Sequence, residues 1–117
     1  MTDWEQIIGE AQPLAVAFQA QLRNEQANDR DAGFNEAQKA LNYYLSHHYD
    51  ESAFNAYLNA LVERTPARTR RSLPYYRAIR TLWRSWQTAL TGQDKARAWG
   101  WAIRLAKTAH NTGGQPP

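Results

Sequence analysis

The sequence predicts an all-α protein, a compact bundle of about five helices in a single domain over residues 1–110. Apolar residues recur with helical period along almost the whole chain, and no segment of four or more residues alternates as a half-buried strand would. A length of 117 residues allows one modest core and no second independent one.

The first helix is expected to open with Thr2 as cap and Glu5 three residues later, a capping box. Its apolar face reads Trp4, Ile7, Ile8, Ala11, Leu14, Ala15, Phe18 and Leu22. Pro13 removes one backbone hydrogen bond, but the face continues beyond it, so a kink is expected rather than a break. A polar passage over residues 24–33 leads to a second helix, capped by Asp29 or Asp31, with Phe34, Ala37, Leu41, Tyr44, Leu45 and His48 on one side.

Asp50 or Ser52 caps a third helix showing Phe54, Tyr57, Leu58, Leu61 and Val62, which stops before Pro66. The fourth helix is expected to start within residues 72–75, with a serine cap and Pro74 in its first turn, and to end at Gly92. Thr91 with Asp94 caps a fifth helix running to about Thr108, and the uncharged segment 111–117, NTGGQPP, is expected to be a disordered tail. The last two helices are expected to form a basic, Trp-rich antiparallel hairpin.

Charge is divided along the chain. Residues 1–63 hold three basic side chains against ten acidic ones, a net of −7. Residues 64–110 hold eleven basic ones against Asp94 alone, a net of +10. Such asymmetry points to a polyanionic partner or to self-association. Within the basic half, ARTRRSLPYYRAIRTLWRSW, residues 67–86, contains six arginines and no acid.

On a helix, Tyr75, Ile79, Leu82, Trp83, Trp86 and Leu90 form an apolar stripe, while Arg77, Arg80 and Arg84 fall at i, i+3 and i+7 on another side, beside Tyr76. Arg68, Arg70 and Arg71 lie at the positive end of that helix's dipole, where cations are mildly unfavourable, so helix stability does not explain them. Arg97, Arg104 and Lys107 share a side of the fifth helix. Eleven arginines against three lysines favour bidentate phosphate recognition. These nine cations are the candidate nucleic-acid surface. The plainer alternative is that they pair with carboxylates of the acidic half.

Tyr76 and Trp99 are candidates for stacking or an interface. Trp99 and Trp101 flank Gly100 and point about 200° apart on a helix, so both cannot face one core. Gly100 costs about 1 kcal/mol inside a helix, which suggests that another backbone approaches it closely. His47 with Glu51 has i, i+4 spacing, but ordinary packing explains the pair better than a metal.

No glycine-rich phosphate loop, nucleophile elbow or HExxH motif occurs, so neither catalysis nor a cofactor is expected. The absence of cysteine fits a reducing compartment. There is no run of roughly 18 apolar residues and no signal-peptide start, so a cytoplasmic protein without a membrane partner is expected.

An arginine- and aromatic-rich penultimate helix followed by KARAWGWAIRLAKTA resembles the small subunit of type III CRISPR effector complexes, most firmly over residues 75–109. The resemblance implies a helical bundle stacked in several copies within a ribonucleoprotein for antiviral defence. There it would hold guide RNA and target nucleic acid through basic side chains, beside the other effector-complex subunits, while those subunits cleave. Head-to-tail self-association would also use the opposed charges of the two halves. Two competing readings are a helical protein-protein adaptor using the Arg/Trp face and a helix-turn-helix DNA-binding regulator.

Overall fold

The helical period is realised in five α-helices: α1 (Trp4–Asn24), α2 (Arg30–Ser46), α3 (Glu51–Glu63), α4 (Leu73–Ser85) and α5 (Gly92–Asn111). The computed structural model describes residues 4–64 and 71–111, and no strand occurs among them. The expected Thr2 cap, Pro66 and the segment 112–117 lie outside the described residues.

Helix α1 runs unbroken through Pro13. The carbonyl that loses its donor belongs to Gly9, which is exposed, so water can satisfy it. Ile7, Ala11, Leu14, Ala15, Phe18 and Leu22 are buried as the periodicity predicts. Trp4, expected on the same face, is 50% exposed.

Asp29 caps α2, its carboxylate accepting from the Ala32 amide at 3.1 Å. The helix therefore starts three residues before Gly33, which becomes a buried position against Leu22. The Asp29 amide also donates to the Tyr75 hydroxyl at 3.0 Å, tying the α1–α2 connection to α4. At the other end α2 stops at Ser46, and the chain reverses through His48 and Tyr49, both with positive φ, 56° and 61°. His48 and Leu45 are exposed, contrary to the apolar pattern, because the helix has ended before one and opens onto a groove at the other. Asp50 caps α3, accepting from the Ala53 amide at 3.1 Å.

Helix α4 has Ser72 at its cap position without a side-chain capping bond, and it ends at Ser85, well short of the expected Gly92. Trp86 turns extended there, with ψ 105°, and its indole N–H donates to Glu10 of α1 at 3.1 Å. That bond and its ring contacts with Trp83 and Trp99 take the place of a further helical turn. Gly92, with φ +54°, opens α5 instead, where the Thr91 carbonyl accepts from the amides of Asp94 and Lys95 at 3.2 and 3.4 Å. Helix α5 extends past Thr108 to Asn111.

The molecule measures 44 × 36 × 20 Å, so its short axis is about two helix diameters of 10–12 Å. Helix α1 packs most extensively on α5 and then on α4, α2 packs on α5, and α3 on α4. The two basic helices meet mainly through side chains, with the Trp83 and Trp99 rings 5.4 Å apart, while their backbones rest on α1. No helix among the described residues is long and apolar enough to cross a membrane.

Candidate nucleic-acid interface

The i, i+3, i+7 spacing on α4 places Arg80 and Arg84 against α3. Both guanidiniums donate to the Oδ1 of Asn59, Arg80 at 3.3 Å, and Arg80 also lies 3.8 Å from Glu63. Glu63 is 68% exposed, so that ion pair contributes little. Arg77 is exposed without a charged partner among the described residues, as is Arg71 just before the helix. Tyr76 is half-buried beside them. Arg68 and Arg70 lie outside the described residues.

The cations of α5 have different neighbours. Arg97 lies 3.6 Å from Asp94, and its guanidinium sits 5.4 Å from the centre of the Trp4 ring. Arg104 is exposed, its guanidinium 5.3 Å from the Trp101 ring centre, and Lys107 is exposed one turn further on. The described candidate cations are thus sorted into an α4 group leaning on α3 and an α5 group facing α1 and α2. Lys95 is drawn inward: its ammonium meets Glu51 at 2.9 Å and the Trp83 ring centre at 4.1 Å.

Between α2 and α5 lies an open groove of about 310 Å³. Its floor is Leu41, Ala96 and Gly100, and Leu45 and Tyr49 close one end. Arg97, Trp101 and Arg104 stand on the α5 side, and Gln38 and Gln93 add amides. Among the described residues no acidic side chain lines it. Sequence reasoning singled out Gly100 and the α5 cations but missed the α2 wall, which only tertiary pairing supplies.

Two sequence expectations are corrected here. Trp99, proposed for stacking or an interface, is 2% exposed and donates its indole N–H to the Ala37 carbonyl of α2 at 3.2 Å, so it is an internal tie. Trp101, on the opposite side of the helix, is the half-buried one. No backbone among the described residues approaches Gly100: a methyl there would meet only a Leu41 methyl, at 3.4 Å.

His47 and Glu51 are separated by the reversal between α2 and α3. The His47 ring stacks on Tyr43 with centres 3.8 Å apart, and Glu51 is taken by Tyr44 and Lys95. Among the described residues no cluster of three or more His, Asp or Glu could hold a metal. Burial, then the hydrogen bond to Glu51, pushes the Tyr44 phenol far above the ordinary tyrosine value. Burial raises Tyr57 as well.

Neither a family model, nor a curated protein, nor a solved structure matches the chain.

Proposed function

We propose that this chain is a non-catalytic, nucleic-acid-binding small subunit of a type III CRISPR RNA-guided effector ribonucleoprotein, contacting guide and target phosphates through its arginine-rich surface. The observation that carries the reading is the state of the cations. Arg71, Arg77, Arg84, Arg104 and Lys107 are exposed and face no carboxylate among the described residues, although the acidic half supplies ten. Charge pairing among the described residues therefore leaves most of the described candidate cations available. Binding of this kind releases counterions and carries no sequence information, which guide pairing supplies instead.

The test is fluorescence anisotropy with single-stranded RNA, single-stranded DNA and duplex DNA, from about 50 to 200 mM salt. All three are expected to bind, with affinity falling steeply as salt rises. In an Arg77→Ala, Arg84→Ala variant, with its fold checked by circular dichroism, the salt slope on single strands should become shallower by about 0.7 for each phosphate no longer neutralised. Light scattering at low and high salt follows the stacking of copies that such a subunit requires. No binding at low salt, together with a monomer under every condition, would overturn the reading and bring the protein adaptor forward.

A further inference from the structure

We propose that the α2–α5 groove is a nucleotide subsite, taking one nucleoside monophosphate unit with its phosphate on Arg104 and Arg97 and its base along the floor at Gly100 beside Trp101. Three independent observations lead there.

The first is charge. Two guanidiniums border the groove, and no acid among the described residues lines it. Arg104 has no carboxylate partner among the described residues, whereas Arg97 is steadied by Asp94 and the Trp4 ring. Arginine at a partly apolar wall suits a phosphate that accepts two parallel hydrogen bonds.

The second is Gly100. Glycine inside a helix is unfavourable, and packing does not require it here, since a methyl would find one Leu41 side-chain atom at ordinary contact distance. A glycine that no described neighbour demands, on the floor of an open groove, leaves room for a flat ligand to approach the α5 backbone. The third is the reversal at His48 and Tyr49. Two successive non-glycine residues in the left-handed region are costly, and together they set Tyr49 at the groove's end.

The volume, about 310 Å³, lies at the small end of the roughly 300–1,000 Å³ range of ligand sites, which fits one nucleotide better than a folded element. Trp101 and Tyr49 offer apolar ring surface to a base, and Gln38 and Gln93 can both donate to and accept from its edge. Lys107 carries positive charge along α5 beyond Arg104, a path for the next phosphate when the unit belongs to a strand. In that form the inference rests on the proposed nucleic-acid binding; for a free nucleotide it stands alone.

The test is amide and indole NMR of the full chain, titrated separately with inorganic phosphate, with uridine and adenosine 5′-monophosphates, and with a single-stranded RNA of about ten nucleotides. Shifts are expected at Gly100, Tyr49 and the Trp101 indole. Arg104→Ala should weaken the nucleotide about tenfold, the loss of one charge-assisted bond. Gly100→Ala, which keeps the fold, should weaken it about threefold by filling the floor.

The Arg77→Ala, Arg84→Ala variant should lose RNA affinity and keep nucleotide affinity. Groove shifts with the mononucleotides identify a free nucleotide as sufficient, and groove shifts with RNA alone identify a unit within a strand. RNA binding with shifts confined to α4 would overturn the subsite and leave the proposed function standing. Mononucleotide binding in the groove without any RNA binding would do the reverse. Phosphate alone matching the nucleotides in shift and affinity would also overturn the subsite.

Discussion

Helices α4 and α5 carry the same residue types, arginine and tryptophan, and both pack on helix α1. On α4 the apolar stripe is committed inward, with Ile79, Leu82 and Trp83 buried, and two of its arginines share the neutral oxygen of Asn59. On α5 the tryptophans part company: Trp99 is locked into the core, while Trp101 lies in a groove under Arg104. The difference comes from the partner helix. Helix α3 gives α4 an amide to hold its cations, whereas α2 leaves space beside α5 and lines it with no acid among the described residues. Equal charge on two helices thus does not make equal sites; what the neighbour leaves unsatisfied decides.

The largest effect expected from this contrast lies in the two tryptophans. Trp99→Ala empties a site touching Phe18, Trp83 and Trp86 and breaks the bond to Ala37, and should cost about 3–5 kcal/mol in urea denaturation. Trp101→Ala removes a half-buried ring and should cost under about 2 kcal/mol. Equal losses would mean that Trp101 is as much a part of the core as Trp99, and the groove would lose its separate standing.

A smaller effect tests the junction from which both basic helices hang. Glu51, in the first turn of α3, accepts from the Tyr44 hydroxyl of α2 and from Lys95 of α5, whose ammonium sits over Trp83 of α4. The Tyr44 phenol is raised above its ordinary value by burial and by Glu51, so the folded state holds the proton more tightly than the unfolded chain. That contribution is fully present below the unfolded value near pH ~10 and is lost as pH rises from there toward the higher folded value. Tyr44→Phe should cost about 0.5–1.5 kcal/mol at neutral pH, and the gap from the parent should narrow above pH ~10. Denaturation at several pH values follows both. A gap constant with pH would show that burial and Glu51 together do not hold the phenol proton in the folded state.

Much of the fold was legible because it is local. The buried faces of α1 and α3 follow from residue period, and residue type narrows each cap to two candidates, Asp29 or Asp31 and Asp50 or Ser52, of which the fold uses the first. The ends of α2 and α4 were not legible. Helix α4 stops where Trp86 reaches Glu10, 76 residues away in sequence, and α2 reverses through His48 and Tyr49, which carry no glycine to mark a left-handed turn. The candidate cations were visible from their spacing, yet their division into two groups was not. It depends on Asn59 on one side and Leu41 and Gln38 on the other, contributed by helices whose pairing no short window reveals. Trp99 and Trp101 were seen to point apart, but which one faces inward depends on where α2 lies.

The smallest effect separates two helical glycines. At Gly33 an added methyl would lie 3.1 Å from both Leu22 methyls, and Leu22 is itself 2% exposed, so there is little room to yield. Gly33→Ala gains about 1 kcal/mol of helix propensity but meets an overpacking cost of about 1–3 kcal/mol, and no net stabilisation is expected. At Gly100 the methyl has open space apart from one Leu41 contact, so Gly100→Ala should stabilise by about 0.4–1 kcal/mol. Paired thermal melts read the sign of each. A stabilised Gly100→Ala alone would show that the native glycine carries a cost the fold does not require, leaving the groove as its reason. Stabilisation by both would mean that Leu22 moves aside freely, and Gly100 would no longer be distinguished from Gly33. A destabilised Gly100→Ala would show that α2 and α5 already close over this position, and the contrast between the two basic helices would shrink to their hydrogen-bond partners.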